Sequence, residues 1–319
     1  MKHIIKSLTT LQGPSGRETE VIKYIGNEIQ QYVNDMEIDE YGNLIAIKKG
    51  TVSSGQSIAF IAHADEIGLI ISELKENKAH FICLTKMTYD ALIGRKIRFL
   101  NGEFGVIMSN QESGKEIEHL YIDISGASKI TVGMFGTFES TYEEQGDYIF
   151  AKSLDNRIGC AVLIDAVKHM DFLPVTDLYF IFSVQEELGA RGAARITERI
   201  GSGYFFNIDV TSCKEGEQNV NVKMGEGCAV KIFDRGIVVK QEMIDWLREI
   251  AEKEGIKIQM EVSGRGSTDL AMLDVFSKKS LCCGISIPCK YGHNSIEIVK
   301  MSDVTEVKRI ILEIMKNRL

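Results

Sequence analysis

The sequence predicts an α/β fold with a largely parallel or mixed sheet, interrupted by a small all-β insertion. Helical and strand patterns alternate up to residue 68 and again from residue 149, whereas residues 69–148 contain short β-rich runs and no strong amphipathic helix. Alternating helices and strands are typical of layered α/β domains. Closely spaced short strands are typical of small barrels or sandwiches. We therefore expect one α/β domain built from residues 1–68 and 149–319, with a β-barrel-like domain at 69–148.

The first helix is expected over residues 17–33, where apolar side chains recur on one helical face. Ser15 precedes it and Glu18 follows three residues later, which is the pattern of a capping box. A hairpin is expected around residues 41–43, and the apolar run SIAFIAH at 57–63 predicts the strand that follows.

The insertion is predicted from a series of short runs that turn residues separate. These runs are HFICLT, RKIRFL, FGVIMS, HLYIDI and KITVGMFGTFES. After the insertion, we expect helices at 157–170, 190–200, 240–254 and 302–317, and strands at 177–185, 203–209, 257–262 and 280–287.

Composition limits the class of protein. The 319 residues carry a net charge of −8 without a Lys/Arg-rich run, which argues against a nucleic-acid partner. The first residues lack the apolar stretch of a signal peptide, and no later stretch approaches membrane-spanning length, so we expect a cytoplasmic protein without a membrane partner. The seven cysteines form no C-x-x-C pair and are expected to be reduced.

The strand at 57–63 ends in His63, and Asp65 and Glu66 follow directly. Side chains of a strand alternate between its faces, so His63 and Asp65 share one side and Glu66 points away. A carboxylate beside an imidazole can fix its tautomer and improve it as a metal ligand. Taken alone, a hydrogen-bonded histidine at a strand end is the commoner explanation.

Other predicted strands also end in acids or imidazoles, and sites in open α/β sheets form beyond such ends. The residues concerned are Asp155, Glu186, Glu187, Asp209 and His293. Each has an ordinary structural explanation: a helix cap, first-turn acids, a turn residue and a surface histidine.

The combination favours a metal site. Several carboxylates at one edge would repel one another unless cations lay between them. Two histidines and three carboxylates, one of them bridging, suit two Zn, Co or Mn ions about 3.5–4 Å apart. Of the adjacent Glu186 and Glu187, one could bind metal and the other act as general base for a water that the metals acidify. This chemistry is hydrolytic.

Seven motifs, in this order, resemble one family over nearly the whole chain: GPSGRE, HADEIG, SLDNRIG, VQEELGARGA, IDVT, GSTD and YGHNSIE. The family is that of the dinuclear-metal aminopeptidases, which includes glutamyl aminopeptidase, the tetrahedral (TET) aminopeptidases, FrvX-like proteins and deblocking aminopeptidases. The resemblance implies a mixed-sheet metallopeptidase domain of the phosphorylase/hydrolase-like type. It also implies an inserted β domain that serves oligomerisation.

The resemblance assigns roles residue by residue. Asp155 would bridge two divalent metal ions, with His63 and Asp209 completing one site. The other site would use Glu187 and His293. Glu186 would be the general base, and Asp65 would orient His63.

The implied partners are short peptides with a free N-terminus and further copies of the chain, up to a tetrahedral dodecamer. Four stretches depart from the family pattern: SCKEGEQN after DVT, KMGEGCAV, HNSIE, and Ser267 within GSTD. They leave every proposed ligand in place but alter loops expected to border the substrate pocket.

Two alternatives stay open at the level of sequence, and a third, a glycosidase, is disfavoured. A related deacylase or carboxypeptidase would use the same metal centre. A glycosidase needs two carboxylates facing each other about 5–9.5 Å apart across a sugar, which neighbouring glutamates on one strand end do not offer. A non-catalytic peptide-binding scaffold would be favoured by a lost ligand or base, and none is lost.

Overall fold

The computed structural model describes residues 1–52, 57–111, 116–197, 199–200, 203–213, 221–277 and 280–317. Its helices are α1 (Lys2–Thr10), α2 (Thr19–Ile29), α3 (Leu154–Lys168), α4 (Ala193–Ile196), α5 (Gln241–Glu254), α6 (Leu270–Phe276) and α7 (Met301–Lys316). Short 3-10 helices lie at Tyr89–Leu92 and Ile117–His119. Among the described residues, no helix is both long and apolar enough to cross a membrane.

The strands lie in two groups. Those before residue 69 and after residue 176 are interspersed with helices, whereas those between residues 69 and 151 follow one another without an α-helix among the described residues. They are β1 (Asp35–Ile38), β2 (Leu44–Lys48), β3 (Ser57–His63), β4 (Leu69–Lys75), β5 (Lys78–Cys83), β6 (Lys96–Phe99), β7 (Phe104–Ser109), β8 (Leu120–Asp123), β9 (Phe135–Phe138), β10 (Tyr142–Gln145), β11 (Tyr148–Ala151), β12 (Asp177–Ser183), β13 (Gly203–Ser212), β14 (Cys228–Phe233), β15 (Ile258–Val262), β16 (Leu281–Lys290) and β17 (Glu297–Lys300).

The main sheet is mixed, as predicted, with a parallel centre. Its path runs β1-β2-β12-β3-β13-β16-β17-β11-β10, and β14 pairs with β15 and β16 beside this path. The central strands β12, β3, β13 and β16 pair in parallel, and the outer pairings are antiparallel. Continuous apolar runs suit such strands, because helices cover a parallel sheet on both faces. Helix α3 packs against β3 and β13, and α6 packs against β16.

Three phenylalanines hold the central strands in register. Phe60 lies opposite Phe180 on one neighbouring strand and Phe206 on the other. The ring centroids are 5.9 and 5.6 Å from that of Phe60, and all three side chains are buried. Since a shift of one residue would send these rings to the other face, the stack also determines where His63 lies, three residues further along β3.

The second sheet is a closed barrel in the order β4-β5-β8-β7-β6-β9, all of it within the segment 69–148. The barrel has its own buried core, which includes Ile71, Phe81, Phe99, Ile107 and Ile122. Strand β10 also belongs to this segment but pairs with β11 and extends the main sheet.

The structure confirms the hairpin and changes several element boundaries. Strands β1 and β2 pair in antiparallel, and Asp39 Oδ1 accepts three backbone N–H groups in the connecting turn. The helix expected at 190–200 is only the four-residue α4, with residue 198 outside the described part of the chain. Helices α1 and α6 have no counterpart among the sequence predictions.

The predicted cap at Ser15 is wrong. Helix α2 begins at Thr19 after Glu18, and neither Ser15 nor another side chain caps it. The Ser15 hydroxyl instead donates to Asp65 Oδ2 at 2.6 Å, because the loop before α2 packs against the buried end of β3.

Candidate metal centre

The predicted site residues come together at one edge of the main sheet. Strands β3, β12, β13 and β16 are parallel, and β11 runs in the same direction, since antiparallel β17 separates it from β16. The carboxyl ends of five strands therefore meet at this edge. A cavity of about 280 Å³ lies there, lined among others by His63, Asp155, Glu186, Glu187, Asp209 and His293.

The first group of ligand-type atoms surrounds His63. Its Nε2 lies 3.2 Å from Asp155 Oδ1 and 3.7 Å from Asp209 Oδ1. One atom from each residue falls within 4.8 Å of the others, close enough to hold a metal ion together. Asp209 lies within β13, since this strand runs three residues further than predicted.

The second group surrounds His293. Its Nε2 lies 3.1 Å from Glu187 Oε2 and 3.5 Å from Asp155 Oδ2. Asp155 thus presents Oδ1 to the first group and Oδ2 to the second. One carboxylate facing two ligand clusters with its two oxygens is the geometry that a bridging ligand requires.

Glu186 and Glu187 face different partners although they are neighbours in the chain. Glu186 Oε2 lies 3.9 Å from His63 Nε2, and its side chain retains 13% exposure, whereas that of Glu187 retains 2%. His63, Glu186 and Glu187 form a third group that could hold a cation. By geometry alone, Glu186 is thus either a ligand or a group beside the ligands.

Asp65 is completely buried behind the centre. Its Oδ1 lies 3.3 Å from His63 Nδ1, consistent with the predicted contact with His63. It also accepts backbone N–H groups, from Glu186 at 3.0 Å and from Glu187 at 3.1 Å. Asp65 therefore contacts both the histidine and the turn that carries the two glutamates. Glu66 points away, as predicted, and pairs with Lys152 at 2.5 Å.

The segment that carries Asp155 is anchored to β13 by its neighbour. The Asn156 side chain donates to the Ile208 carbonyl at 2.7 Å, and the peptide bond from Asp155 to Asn156 is cis. Helix α3 approaches β13 closely at Gly159, where a Cβ would lie 2.2 Å from Asn156 Oδ1 and 2.9 Å from the Ile208 carbonyl oxygen. Glycine is therefore required at this contact.

The electrostatics favour positive charge in the cavity. Burial raises the pKa of Glu186 well above its usual range, and the carboxylates of Asp269 and Asp209 add to the shift. Burial works against a charged His293, yet the hydrogen bond and charge of Glu187 raise the pKa of this histidine to about 10. Four carboxylates here face only two imidazoles, so protons or cations must balance the charge.

The cavity also contains an oxygen that needs a partner. Glu187 Oε1 is buried and has no hydrogen-bond partner within the part of the chain that the structure describes. A buried carboxylate oxygen without a partner is costly, and coordination to a cation would satisfy it. The carboxylate oxygens and imidazole nitrogens present are donors that suit a divalent ion such as Zn, Co or Mn.

Two acids near the centre were not assigned roles by the sequence. Asp269 is buried, accepts from the Ser183 hydroxyl at 2.5 Å, and has a pKa that burial raises to about 7. Glu297 is buried beneath Asp155 and His293. Both lie in motifs of the family resemblance, Asp269 in GSTD and Glu297 in YGHNSIE, and these motifs are the signal that could have indicated them.

A wider groove of about 930 Å³ adjoins the centre and shares Asp155 and His293 with it. The groove is also lined by Lys86, Arg235 and Arg265. Two of the stretches that depart from the family pattern line both spaces, GSTD through Ser267 and HNSIE through His293. Most of SCKEGEQN, residues 214–219, lies outside the described residues.

Comparisons with known proteins agree along nearly the whole chain. Residues 42–310 match the family model described as M42 glutamyl aminopeptidase. A putative aminopeptidase of Acetivibrio thermocellus is 31% identical over 98% of this chain and 98% of its own length. Lysyl aminopeptidase of Pyrococcus furiosus is 28% identical over 95% of this chain and 92% of its own.

A solved structure shares the fold. It is that of the Pyrococcus horikoshii TET1 peptidase, described as able to assemble into a tetrahedron or a large octahedral shell. The match has a TM-score of 0.89 at 29% identity and covers 99% of each chain.

Proposed function

The chain belongs to the M42 glutamyl aminopeptidase family and is a metallo-aminopeptidase, and from this premise we propose how its centre acts and on what. It releases N-terminal residues from short peptides with an unblocked N-terminus. It does so with two divalent cations and with Glu186 as general base.

The observation that carries this proposal is the orientation of Asp155. Its two carboxylate oxygens face separate groups, His63 with Asp209 and Glu187 with His293. We assign these groups to one cation each, with Asp155 bridging. Zn, Co and Mn all accept this ligand set. When bound, such cations act as Lewis acids that lower the pKa of water and polarise the scissile carbonyl.

Glu186 is assigned as the proton carrier. Its side chain lines the cavity and is less buried than that of Glu187, so it can reach a water and the substrate. Burial raises its pKa, which matches a group that must take up a proton and release it within one cycle. Glu186 accepts the proton of the attacking water and passes it to the leaving amine.

Asp65 supports both assignments from behind. It holds His63 through Nδ1, leaving Nε2 directed at Asp155 and Asp209. Through the backbone N–H groups of Glu186 and Glu187, it also fixes the turn on which ligand and base are neighbours. We therefore assign Asp65 a positioning role, which it exerts through His63, Glu186 and Glu187.

A peptide suits the space beside the centre. The 930 Å³ groove is lined by Asp155 and His293 of the centre and also by Thr268 and Arg265, and this volume is large enough for several peptide residues. A deacylase or carboxypeptidase would use the same cations, and only the end of the substrate that enters the cavity separates these activities.

Assembly and location follow as proposals. The TET1 peptidase of P. horikoshii forms shells, and this chain shares its fold over 99% of its length. We propose that it forms a homo-oligomer, up to a tetrahedral dodecamer, through the segment 69–148. Light scattering of the purified protein tests the mass.

The cysteines form no disulfide within the described residues, consistent with a cytoplasmic location.

The test is hydrolysis of unblocked peptides beside their N-acetylated twins, with Zn²⁺ or Co²⁺ restored after chelation. We expect metal-dependent release of the first residue from the unblocked set alone, identified by mass spectrometry. Cleavage of the acetylated twins at the N-terminus would favour a deacylase or deblocking enzyme, and loss of the last residue a carboxypeptidase. No turnover with two metals bound would favour the non-catalytic scaffold.

A further inference from the structure

Glu297 joins two parts of the centre that are far apart in the chain. Its side chain is buried, with the residue only 1% exposed, at the start of β17. Its Oε2 accepts the backbone N–H of Asp155 at 2.8 Å, and its Oε1 accepts that of His293 at 3.0 Å. One carboxylate thus accepts the backbone N–H groups of two of the three residues that form the second group, Asp155 and His293.

The sheet puts Glu297 in the right place for this contact. Strand β17 pairs with β11, where Glu297 lies opposite Ala151, four residues before Asp155. It also pairs with the end of β16, from which the His293 loop departs. Glu297 therefore lies between the two segments, and neither segment reaches the other directly through a strand pairing.

The His293 loop needs such a tether. His293 and Tyr291 both have left-handed backbone conformations, with φ values of 60° and 63°. Residues other than glycine adopt this region at a cost, and the surrounding contacts must hold them there. The His293 side chain is also 39% exposed, so packing alone constrains it less than it does Glu187.

We propose that Glu297 is a positioning residue that sets the separation of Asp155 and His293 and thereby the affinity of the Asp155–Glu187–His293 position for its cation. This inference rests on the two-cation centre proposed above. Glu297 itself is not a ligand in this scheme, because each of its oxygens already accepts a backbone N–H. None of the groups of described residues that could hold a metal includes it.

The chemistry of the contact determines the best substitution. Glutamine has nearly the same shape as glutamate but replaces one oxygen by an NH₂ donor. In Glu297→Gln, one of the two backbone N–H groups would face this donor and lose its acceptor. Asp155 keeps a second anchor through Asn156 and Ile208, so the His293 loop should shift more.

Asp303 provides a matched control. It is equally buried, and its two oxygens accept the backbone N–H groups of Gly225 at 2.7 Å and Gly227 at 2.9 Å. None of these three residues lines the cavity of the centre. Asp303→Asn therefore breaks the same kind of contact without touching a proposed ligand.

The experiment is a titration of the metal-free wild-type, Glu297→Gln and Asp303→Asn proteins with Zn²⁺, followed by calorimetry. Co²⁺ absorption spectra serve as a second readout of the ligand geometry. In Glu297→Gln, we expect one of the two cations to bind about 10- to 100-fold more weakly, as for other residues that orient metal ligands. The other cation should keep its affinity, and kcat should recover at saturating metal. Asp303→Asn should bind both cations like the wild type.

Two results would overturn the inference. One is wild-type affinity for both cations in Glu297→Gln, and the other is an equal loss in Asp303→Asn, which would mark a general effect on the fold. Failure of the proposed function is a separate outcome. If the wild type binds two cations but cleaves no peptide, the comparison of affinities still decides the role of Glu297.

Discussion

Two neighbouring glutamates with the same chemistry occupy different environments in this centre. Glu187 is buried against His293, with one oxygen lacking a hydrogen-bond partner within the described chain, whereas Glu186 lines the cavity with a partly exposed side chain. The difference comes from the turn that Asp65 holds through both backbone N–H groups. At the scale of the residue, this turn gives the two side chains the different environments on which their proposed roles, cation ligand and proton carrier, are based.

The two glutamates can be separated by the same substitution. Glu186→Gln should keep both cations but lower kcat by about 10²–10⁴-fold, because it removes the proposed proton carrier. Glu187→Gln should instead lose affinity for one cation, because it removes a proposed ligand. Steady-state kinetics with metal analysis on both variants checks this. Near wild-type kcat in Glu186→Gln would show that the base has been misassigned.

At the scale of the element, the register of the strands determines where the residues of the centre lie. Phe60, Phe180 and Phe206 stack across three adjacent parallel strands and so fix their register. The same register sets His63 opposite Ser183, at the level from which the turn with the two glutamates departs. The register that packs the hydrophobic interior therefore also positions the polar residues at the edge of the sheet.

Phe60→Ala should destabilise the protein by about 3–5 kcal/mol, because it removes a buried ring and leaves a cavity between two aromatic neighbours. Leu173→Ala is the control, since Leu173 is 73% exposed and should change stability by at most about 0.5 kcal/mol. Urea unfolding followed by circular dichroism measures both. An equal, small effect in the two variants would contradict the role of the stack.

At the scale of the whole molecule, the centre joins segments from nearly the full length of the chain. His63 and His293 are 230 positions apart in the chain. The strands of the barrel lie between His63 and Asp155 in sequence. A centre built in this way exists only in the folded protein, so cation binding and global stability are linked.

Chelation should therefore lower the unfolding temperature, and restoring Zn²⁺ should raise it again. For one site, a free cation concentration 100-fold above Kd adds about 2.7 kcal/mol to the free energy of unfolding. Calorimetric scans of the metal-free and loaded protein measure the shift, and Glu187→Gln should show a smaller one. An unchanged unfolding temperature after proven metal loss would contradict this linkage.

The sequence alone determined the main features of the fold and the membership of the centre. The apolar runs of β3, β12, β13 and β16 predict buried strands, and the polar residues His63, Asp155, Glu186, Glu187, Asp209 and His293 lie at or near strand ends. Parallel strands bring such ends to one edge, so local patterns were sufficient to predict that these side chains would meet.

The tertiary structure decided how these side chains are held. Three features depend on contacts between segments distant in the chain. Asp155 presents one oxygen to each group, Asp65 binds the turn after β12, and Glu297 joins Asp155 to His293. In each of the last two cases, the partner is a backbone N–H. Every residue except proline carries this group, so no sequence pattern distinguishes the one that a buried carboxylate will bind.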